Sequence, residues 1–360
     1  MQYRIKKVAV LGSGIMGSGI ACQLANIGLE VLMLDILPQG TLDKKTNRNS
    51  VAQNSLDKAI KSKPAPLYKK QYANRITAGN FEDDFEKIND ADWIIEVVVE
   101  RLDIKQQILE KVENHRRPGS VVSSNTSSIP ISQLSEGRTE EFKKHFCGTH
   151  FFNPPRYLRL LEIIPISETQ PELVNFLMHF GKINLGKQTV LCKDTPAFIA
   201  NRIGVMSGLK VFDLTQKYDF TIEEVDALTG PLIGRPNTGT YRLQDLVGLD
   251  TGKKVTQFVV NNVKNDSFFE SVGKAIETKF MTFLLDNNFL GNKTGKGFYQ
   301  KTDQKDQNGR SIVNALDLKT LEYKPSIRPK NPFLKGLFYI DFRLCCSTRS
   351  RNFGSILPYR

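Results

Sequence analysis

The chain lacks the marks of a membrane protein and of a metal-binding protein. None of its apolar runs approaches the roughly 18 residues that a membrane-spanning helix needs. Its five cysteines form neither a CxxC pair nor the spacing of a zinc site, so we expect no metal. Reduced, buried thiols are typical of a cytoplasmic protein, which is the location we predict. The cysteines are Cys22, Cys147, Cys192, Cys345 and Cys346.

A nucleic-acid-binding motif is also absent, although the formal net charge is +12. The stretch from Lys301 to the end contains 12 Lys/Arg and 5 Asp/Glu, so residues 1–300 carry a net charge of only +5. A basic surface can meet nucleic acid, a membrane or a polyphosphate ligand. The mild excess of positive charge on residues 1–300 favours a small anionic ligand, and we expect no nucleic-acid partner.

Strands and helices alternate through the first half of the chain. Lys7–Leu11 is a short apolar run that ends at a glycine, which is typical of a buried parallel strand. Ile15–Ile27 has helical spacing and stops at Gly28. The alternation predicts an α/β fold of Rossmann type, a doubly wound sheet with right-handed crossovers. Further strands are predicted over Glu30–Leu34, Arg75–Ala78, Trp93–Val99, Ser120–Ser123, His145–Phe152, Leu160–Ile164 and Thr189–Cys192.

A glycine-rich turn follows the first strand and opens the first helix. Its glycines allow a tight turn, close approach of the backbone to a pyrophosphate, and close packing of helix on sheet. Asp35 ends the next strand, where a carboxylate accepts from a ribose 2′-OH and repels a 2′-phosphate, so NAD is favoured over NADP. A turn that binds nothing, and binding of FAD or S-adenosylmethionine, are the alternatives. The predicted cofactor residues here are Gly12, Gly14, Ile15, Met16, Gly17 and Asp35.

Beyond Asp194 the periodicity becomes helical, so a domain boundary is predicted there. We expect residues 1–194 to form an NAD-binding Rossmann domain and residues 195–300 an all-α helical domain. Residues 301–360 are basic and rich in polar residues, which predicts a poorly ordered linker or tail. The helices of the second domain are predicted over Ala197–Tyr218, Ile222–Leu228 and Leu243–Val263.

One of the four histidines stands out as a candidate base. His150 lies near the end of a predicted strand, on the side of the sheet where such folds bind ligands. Pro154-Pro155 turns the chain, so the next strand can run back and bring Glu162 near the imidazole. A paired carboxylate fixes the tautomer and favours the protonated form, as a general base needs. A structural histidine is the alternative, and it is our interpretation of His115, His145 and His179.

Five longer segments have distinctive sequences: Asn125–Ser128, Gly148–Pro155 with Glu162, Lys193–Arg202, Leu246–Asp250 and Thr294–Tyr299. Their sequences and their order resemble the L-3-hydroxyacyl-CoA dehydrogenase family over about residues 5 to 300. The resemblance implies NAD-dependent oxidation of L-3-hydroxyacyl-CoA to 3-oxoacyl-CoA in fatty-acid β-oxidation. A dehydrogenase of free β-hydroxy acids, in which a lysine usually acts as the base, and a catalytically silent NAD-binding protein are the alternatives.

The resemblance also implies roles for matching residues. His150 would remove the 3-hydroxyl proton while hydride passes to the nicotinamide, and Glu162 would orient it. Ser127 would hydrogen-bond the 3-oxygen or the nearby cofactor, and Asn201 would hold the substrate's oxygens, unless they are helix caps or turn residues. By the same resemblance Glu100 and Lys105 face the cofactor, and Lys293 closes over it. Solvated charges at a helix start, and a loop lysine, are the corresponding structural alternatives.

Partners follow from the same resemblance. The helical domain is expected to bind a second copy of the chain in a homodimer, and an acyl-CoA is the expected substrate. Three segments resemble a bacterial subgroup in which the dehydrogenase leads into an enoyl-CoA hydratase region: the loop Gly230–Tyr241, the segment near Pro64 and the run Phe151–Tyr157. We expect Phe338–Arg360 to be a truncation or frame-shift remnant in place of that region. The segment Gly230–Tyr241 is more polar than is usual in the family, which leaves the acyl-chain length open.

Overall fold

The computed structural model describes residues 3–40, 47–263, 266–272, 277–305, 307–309, 311–327 and 329. The segment Phe338–Arg360, with Cys345 and Cys346, lies outside these residues. The chain divides into two compact units between Asn201 and Arg202. None of the helices in the described residues combines the length and the apolarity that crossing a bilayer requires.

The first unit is built on an eight-stranded sheet, with strand order β3-β2-β1-β4-β5-β6-β7-β8. Strands β1 to β6 run parallel, β7 is antiparallel to β6, and β8 is parallel to β7. The predicted doubly wound sheet is therefore confirmed. The strands are β1 Lys7–Leu11, β2 Glu30–Asp35, β3 Ile76–Asn80, β4 Trp93–Glu96, β5 Val121–Ser124, β6 Phe146–Phe151, β7 Leu160–Pro165 and β8 Gln188–Leu191.

Helices cover both faces of this sheet. Along β1, Val8 and Val10 enter one buried apolar cluster while Ala9 and Leu11 enter the other, because successive side chains of a strand point to opposite faces. A strand that is buried on both faces needs a continuous apolar run, which β1 has. The helices are α1 Ile15–Asn26, α2 Ser50–Lys61, α3 Leu102–His115, α4 Ile131–Leu134, α5 Glu140–Lys144 and α6 Pro171–Ile183.

The second unit is mainly helical around its own apolar core. Val211, Phe212, Tyr241 and Phe298 are buried together there. The predicted helical domain is confirmed. Its helices are α7 Ala200–Lys217, α8 Ile222–Thr229, α9 Tyr241–Val247, α10 Leu249–Asn262, α11 Ser267–Val272 and α12 Lys279–Asp286.

Three strands follow the helices, which corrects the predicted linker. Strands β9 Tyr299–Lys305, β10 Ser311–Leu316 and β11 Tyr323–Pro325 form an antiparallel sheet in the order β11-β10-β9. Ala315 and Leu316 are buried in the core of the second unit. The prediction was wrong up to residue 327 because it weighed the average polarity of the stretch, whereas a few apolar side chains suffice to anchor a hairpin on an existing core.

Candidate active site

His150 and Glu162 lie opposite each other on the antiparallel pair β6 and β7. His150 Nδ1 lies 2.7 Å from Glu162 Oε2, and both residues are buried. The predicted contact between them is confirmed. Side chains of directly paired residues stand side by side on one face of a sheet, so the strand register itself sets this contact.

The Glu162 carboxylate is held from a second direction. Its Oε1 accepts hydrogen bonds from the backbone N–H groups of Ile199, at 3.1 Å, and Ala200, at 2.8 Å, where α7 begins. Burial acts to raise the pKa of Glu162, but the hydrogen bonds from His150, Ala200 and Ile199 outweigh it and hold the pKa below its ordinary value. Glu162 therefore stays ionised at neutral pH, and Asn201 follows directly in the first turn of α7.

An ionised Glu162 determines the tautomer of His150. A carboxylate can only accept hydrogen bonds, so Nδ1 of the neutral imidazole carries the proton and Nε2 is the basic nitrogen. Within the described residues nothing hydrogen-bonds to Nε2. The rings of Phe152 and Phe198 lie 4.4 Å and 5.7 Å from the imidazole, centroid to centroid. These contacts fix the orientation of the ring.

The glycine turn stands at the same edge of the sheet. Gly12 has φ +107°, and a Cβ there would lie 2.5 Å from the carbonyl oxygen of Val97, so the turn requires glycine. A Cβ on Gly17 would overlap the carbonyl oxygen of Gly12, whereas one on Gly14 would meet open space. No side chain caps the start of α1, and Ile15 is exposed while Met16 packs on the core. The free N–H groups and the open side of Gly14 fit a pyrophosphate.

Asp35 reaches over this turn from the end of β2. Its Oδ2 accepts from the backbone N–H of Ser13 at 2.6 Å and from the Ser13 hydroxyl at 2.5 Å. Its Oδ1 accepts from the N–H of Ile36 at 2.7 Å. An ionised carboxylate has about four acceptor positions, so Asp35 can take up a ribose hydroxyl beside these bonds. The donors and acceptors at this edge therefore fit NAD.

Ser127 lies in the turn that follows β5, next to β6. The side-chain oxygen of Asn125 accepts from the backbone N–H of Phe151 at 2.9 Å, which ties this turn to the strand that carries His150. Glu100 Oε1 accepts from the backbone N–H of Ser127 at 3.1 Å. The structure thus gathers the glycine turn, Ser127 and His150 at the carboxyl ends of β1, β5 and β6, where ligands bind in such sheets.

Lys105 and Glu96 form a buried ion pair, of which only Lys105 was predicted as a site residue. Lys105 Nζ lies 2.7 Å from Glu96 Oε1 and 3.2 Å from Glu100 Oε2. Glu96 was not among the predicted residues. The signal was present, because Glu96 is a carboxylate at the end of the apolar strand β4, where an unpaired charge would be costly. Lys293 belongs to the second unit, where its Nζ lies 2.5 Å from Asp250.

Two family models match the chain in succession. One, described as "3-hydroxyacyl-CoA dehydrogenase, NAD binding domain", matches residues 7–195. The other, described as "3-hydroxyacyl-CoA dehydrogenase, C-terminal domain", matches residues 198–301. The chain belongs to the 3-hydroxyacyl-CoA dehydrogenase family. The glycine turn and Asp35 lie in the family's NAD-binding domain, and NAD is the cofactor.

Curated relatives carry the same family name. A Bacillus subtilis protein named "Probable 3-hydroxyacyl-CoA dehydrogenase" is 46% identical over 346 residues, which cover 93% of this chain and 42% of that protein. A Deinococcus radiodurans protein of the same name is 42% identical over 307 residues, 85% of each chain. This chain thus spans less than half the length of the Bacillus relative.

Solved structures of the family share the fold. FadB2 of Mycobacterium tuberculosis matches with a TM-score of 0.66 and 28% identity, over 83% of this chain and 99% of that one. (S)-3-hydroxybutyryl-CoA dehydrogenase PaaH1 from Ralstonia eutropha matches with a TM-score of 0.65 and 29% identity, over 82% of this chain and 98% of that one.

Proposed function

We propose that this protein oxidises L-3-hydroxyacyl-CoA to 3-oxoacyl-CoA with NAD as a step of fatty-acid β-oxidation. The observation that carries the proposal is the buried His150–Glu162 pair, whose basic nitrogen lies at the same sheet edge as the glycine turn. A base at that edge can take a hydroxyl proton while the neighbouring carbon loses a hydride. The family membership supports an acyl-CoA as the substrate.

Each side chain then has a defined task. NAD, when bound, supplies the acceptor for the hydride that leaves C3. His150 Nε2 accepts the 3-hydroxyl proton, and the ionised Glu162 stabilises the imidazolium that results. Ser127 and Asn201 donate to the substrate's oxygens as the carbonyl develops. A positioned general base typically contributes about 10²–10⁴-fold to the rate.

A cavity of about 510 Å³ between α1, α2 and the loop after β6 supports an anionic ligand. Gly14 lines it on one side and the exposed lysines Lys58 and Lys63 on another. Lysine side chains attract phosphate groups as mobile point charges. The phosphates of a coenzyme A ester or of a dinucleotide suit a cavity wall that carries lysines. We therefore assign the cavity to the phosphates of a bound ligand.

Turnover of a coenzyme A ester tests the proposal directly. Purified protein with acetoacetyl-CoA should consume NADH, which is measured as a loss of NADH absorbance. Free acetoacetate should give no turnover. Turnover with free acetoacetate would instead support a dehydrogenase of free β-hydroxy acids. No turnover with either compound, together with measurable NADH binding, would support a catalytically silent NAD-binding protein.

We also propose a homodimer formed through the second unit. Four large apolar side chains on α7 and α9 are 40–61% exposed. Three of them lie within the single short helix α9, and exposed apolar groups that lie together are typical of a protein interface. Sedimentation equilibrium should give twice the mass of the chain, and Leu246→Glu should shift it to the monomer. The four side chains are Ile203, Leu243, Leu246 and Val247.

An enoyl-CoA hydratase is the partner that would supply the substrate. A Rickettsia felis relative, 35% identical over 90% of this chain, has a name that describes a trifunctional enzyme of a fatty acid oxidation complex. We propose such a hydratase as a separate protein or a fused region. With crotonyl-CoA and NAD, NADH should form faster when a hydratase is added.

The proposal includes a cytoplasmic location, which the free, buried thiols of Cys22, Cys147 and Cys192 support.

A further inference from the structure

The loop between β6 and β7, residues 152–159, forms one wall of the cavity that Gly14 lines. Helix α1 packs directly against it, since a Cβ on Gly19 would lie 2.9 Å from the ring of Pro155. Among the described residues that line the cavity there are three cations and no carboxylate, so the cavity suits an anion. The position of the β6–β7 loop therefore sets the distance between this wall and a bound anion. The cations are Lys58, Lys63 and Arg156.

Lys187 holds the β6–β7 loop from inside the protein. It directly precedes β8 and is 3% exposed, and its ammonium donates to the carbonyl oxygens of Pro155 and Leu158, at 2.6 Å from the latter. Burial lowers the pKa of Lys187 to about 8, and among the described residues no carboxylate pairs with it. A buried charge is costly, and an apolar side chain would fill this position at a lower cost in stability. The ammonium thus contributes two bonds that tie the loop to the sheet.

Arg156 holds the same loop from the side of the segment that follows α2. Its Nη1 donates to the carbonyl oxygens of Ala65, at 2.6 Å, and Leu67, at 2.9 Å. Its guanidinium carbon also lies 4.6 Å and 5.0 Å from the ring centres of two tyrosines. A planar guanidinium can make such bonds and stack on aromatic rings at the same time, so Arg156 joins two segments that both line the cavity. The tyrosines are Tyr68 and Tyr157.

We propose that Lys187 and Arg156 are positioning residues, which hold the β6–β7 loop as a fixed wall against which a phosphate group binds. The inference rests on the proposed function, in which this cavity takes the phosphates of a coenzyme A ester or of a dinucleotide. A wall that is already in place does not have to be ordered when the ligand binds, so affinity falls when the loop is freed. The two residues should therefore affect binding and leave the chemical step unchanged.

The chain offers a matched control for each residue. Arg75 donates to the carbonyl oxygen of Ala25 at 2.7 Å and its guanidinium carbon lies 4.2 Å from the ring centre of Tyr72, so it makes the same kinds of contact as Arg156. Arg116 is a buried cation that also donates to a backbone carbonyl, at 3.0 Å. Both controls lie outside the lining of the cavity. A purely structural role predicts the same ligand affinity in the controls and in the variants of the loop.

The experiment compares Lys187→Met and Arg156→Lys with Arg116→Met and Arg75→Lys. The measurements are KM and kcat for acetoacetyl-CoA and the Kd for NADH from its fluorescence. In the first two variants we expect KM or Kd to rise at least about fivefold, with kcat within about twofold of the parent. A rise in KM assigns the cavity to the coenzyme A ester, and a rise in Kd assigns it to the dinucleotide. Both controls should keep all three values within about twofold, and normal KM and Kd in both loop variants would overturn the inference.

Arg156→Lys separates positioning from direct contact of a charge with the phosphate. Lysine keeps the positive charge at the cavity but cannot reproduce the planar guanidinium's bonds and stacking together. Normal affinity in Arg156→Lys, together with a loss of affinity in Arg156→Met, would mean that the charge alone matters and would overturn the inference. If Lys187→Met does not fold, Arg156→Lys carries the same test from the partly exposed side of the loop.

Hydrogen exchange reports on the loop independently of turnover. The backbone N–H groups of Tyr157 and Leu158 both donate to the carbonyl oxygen of Pro154 at 3.0 Å. In Lys187→Met these amides should exchange at least about tenfold faster than in the parent, while peptides from β1 and β4 exchange at the parent rate. Unchanged exchange in the loop would contradict the positioning role, and so would an equal rise in KM or Kd in Arg116→Met.

The proposed function is tested separately with the parent protein. If the parent turns over acetoacetyl-CoA while Lys187→Met and Arg156→Lys bind both ligands normally, the inference alone fails. If the parent turns over no coenzyme A ester but the Kd for NADH rises in both variants, the proposed function fails and the positioning role stands for the dinucleotide. If the parent is inactive and all variants bind NADH equally well, both fail.

Discussion

Strand β6 has a buried histidine at each end. His145 directly precedes the strand and His150 is its last residue but one. Each histidine faces a glutamate, since His145 Nε2 lies 3.6 Å from Glu141 Oε1 and His150 Nδ1 lies 2.7 Å from Glu162 Oε2. In composition and burial the two ends are nearly the same, but their surroundings differ.

The difference lies in how each glutamate is held. Glu162 is fully buried and is fixed by two backbone N–H groups, whereas Glu141 is 51% exposed and lies on a surface helix. Burial lowers the pKa of His145, and Glu141 offsets this only in part, so His145 is neutral at pH 7. The glycine turn after β1 lies at the carboxyl ends of the parallel strands, so it stands at the His150 end of β6 and not at the His145 end. A histidine beside a glutamate therefore indicates a catalytic base only where the carboxylate is fixed at a ligand-binding edge.

The largest expected effect comes from removing the base. His150→Gln should lower kcat for acetoacetyl-CoA reduction by about 10³-fold, because no group remains to exchange the proton, while NADH binding persists. His145→Gln is the matched control at the other end of the strand and should keep near-normal kcat. Steady-state kinetics and an NADH titration measure both. A near-normal kcat in His150→Gln would remove this histidine from the mechanism.

Glu162→Gln should have the next largest effect, about 10²-fold on kcat. The amide can donate to Nδ1, which moves the imidazole proton to Nε2 and leaves no basic nitrogen toward the substrate. Glu141→Gln is the control and should leave kcat unchanged. Steady-state kinetics measure both variants. Equal kcat values in Glu162→Gln and Glu141→Gln would mean that the fixed carboxylate of Glu162 has no special role.

The parts of this site that the sequence predicted are those with a local signal. The glycine turn, Asp35 and the β6–β7 pairing follow from apolar periodicity and turn residues within short windows. Strand pairing then fixes which side chains face each other, so Glu162 could be found from His150. The Glu96–Lys105 pair joins a strand to the helix after it. The sequence shows that Glu96 is a charge in need of a partner, but it carries no periodic signal for which residue that partner is.

Strands β9 to β11 were missed for a related reason. Their stretch is polar on average, and only packing on the core of the second unit makes Ala315 and Leu316 buried. Tertiary burial decides strand formation in such segments more than intrinsic preference does. The predicted contacts of Glu100, Lys105 and Lys293 with the cofactor likewise depend on three-dimensional placement, and for these residues the resemblance alone supplied the prediction.

The two ends of β6 should also differ in how stability depends on pH. The folded-state pKa of His145 lies below 6.5, so the unfolded chain binds its proton first and stability falls as pH drops from about 6.5 toward that lower pKa. The folded-state pKa of Glu162 lies below 4.5, so its contribution is present above about 4.5 and is lost as pH falls through the lower value. Urea unfolding midpoints between pH 7 and about 3 measure both.

Substitution of each residue separates the pH range governed by His145 from the one governed by Glu162. His145→Gln should flatten the pH dependence just below about 6.5, and Glu162→Gln should flatten it only below about 4.5. Each variant serves as the control for the other. Identical slopes in the parent and in His145→Gln just below 6.5 would show that His145 binds its proton equally well in the folded and unfolded states.

The smallest effect is expected at Tyr3, which supports the structural histidine. The Tyr3 hydroxyl hydrogen-bonds to His145 Nδ1 at 3.0 Å and donates to the side-chain oxygen of Gln170 at 3.3 Å. Tyr3→Phe removes the hydroxyl but keeps the ring against Phe176. We expect a loss of about 1 kcal/mol in the free energy of unfolding, since a typical hydrogen bond contributes about that much, with kcat unchanged. A fall in kcat with normal stability would couple the amino end of β6 to the reaction and abolish the contrast between its two histidines.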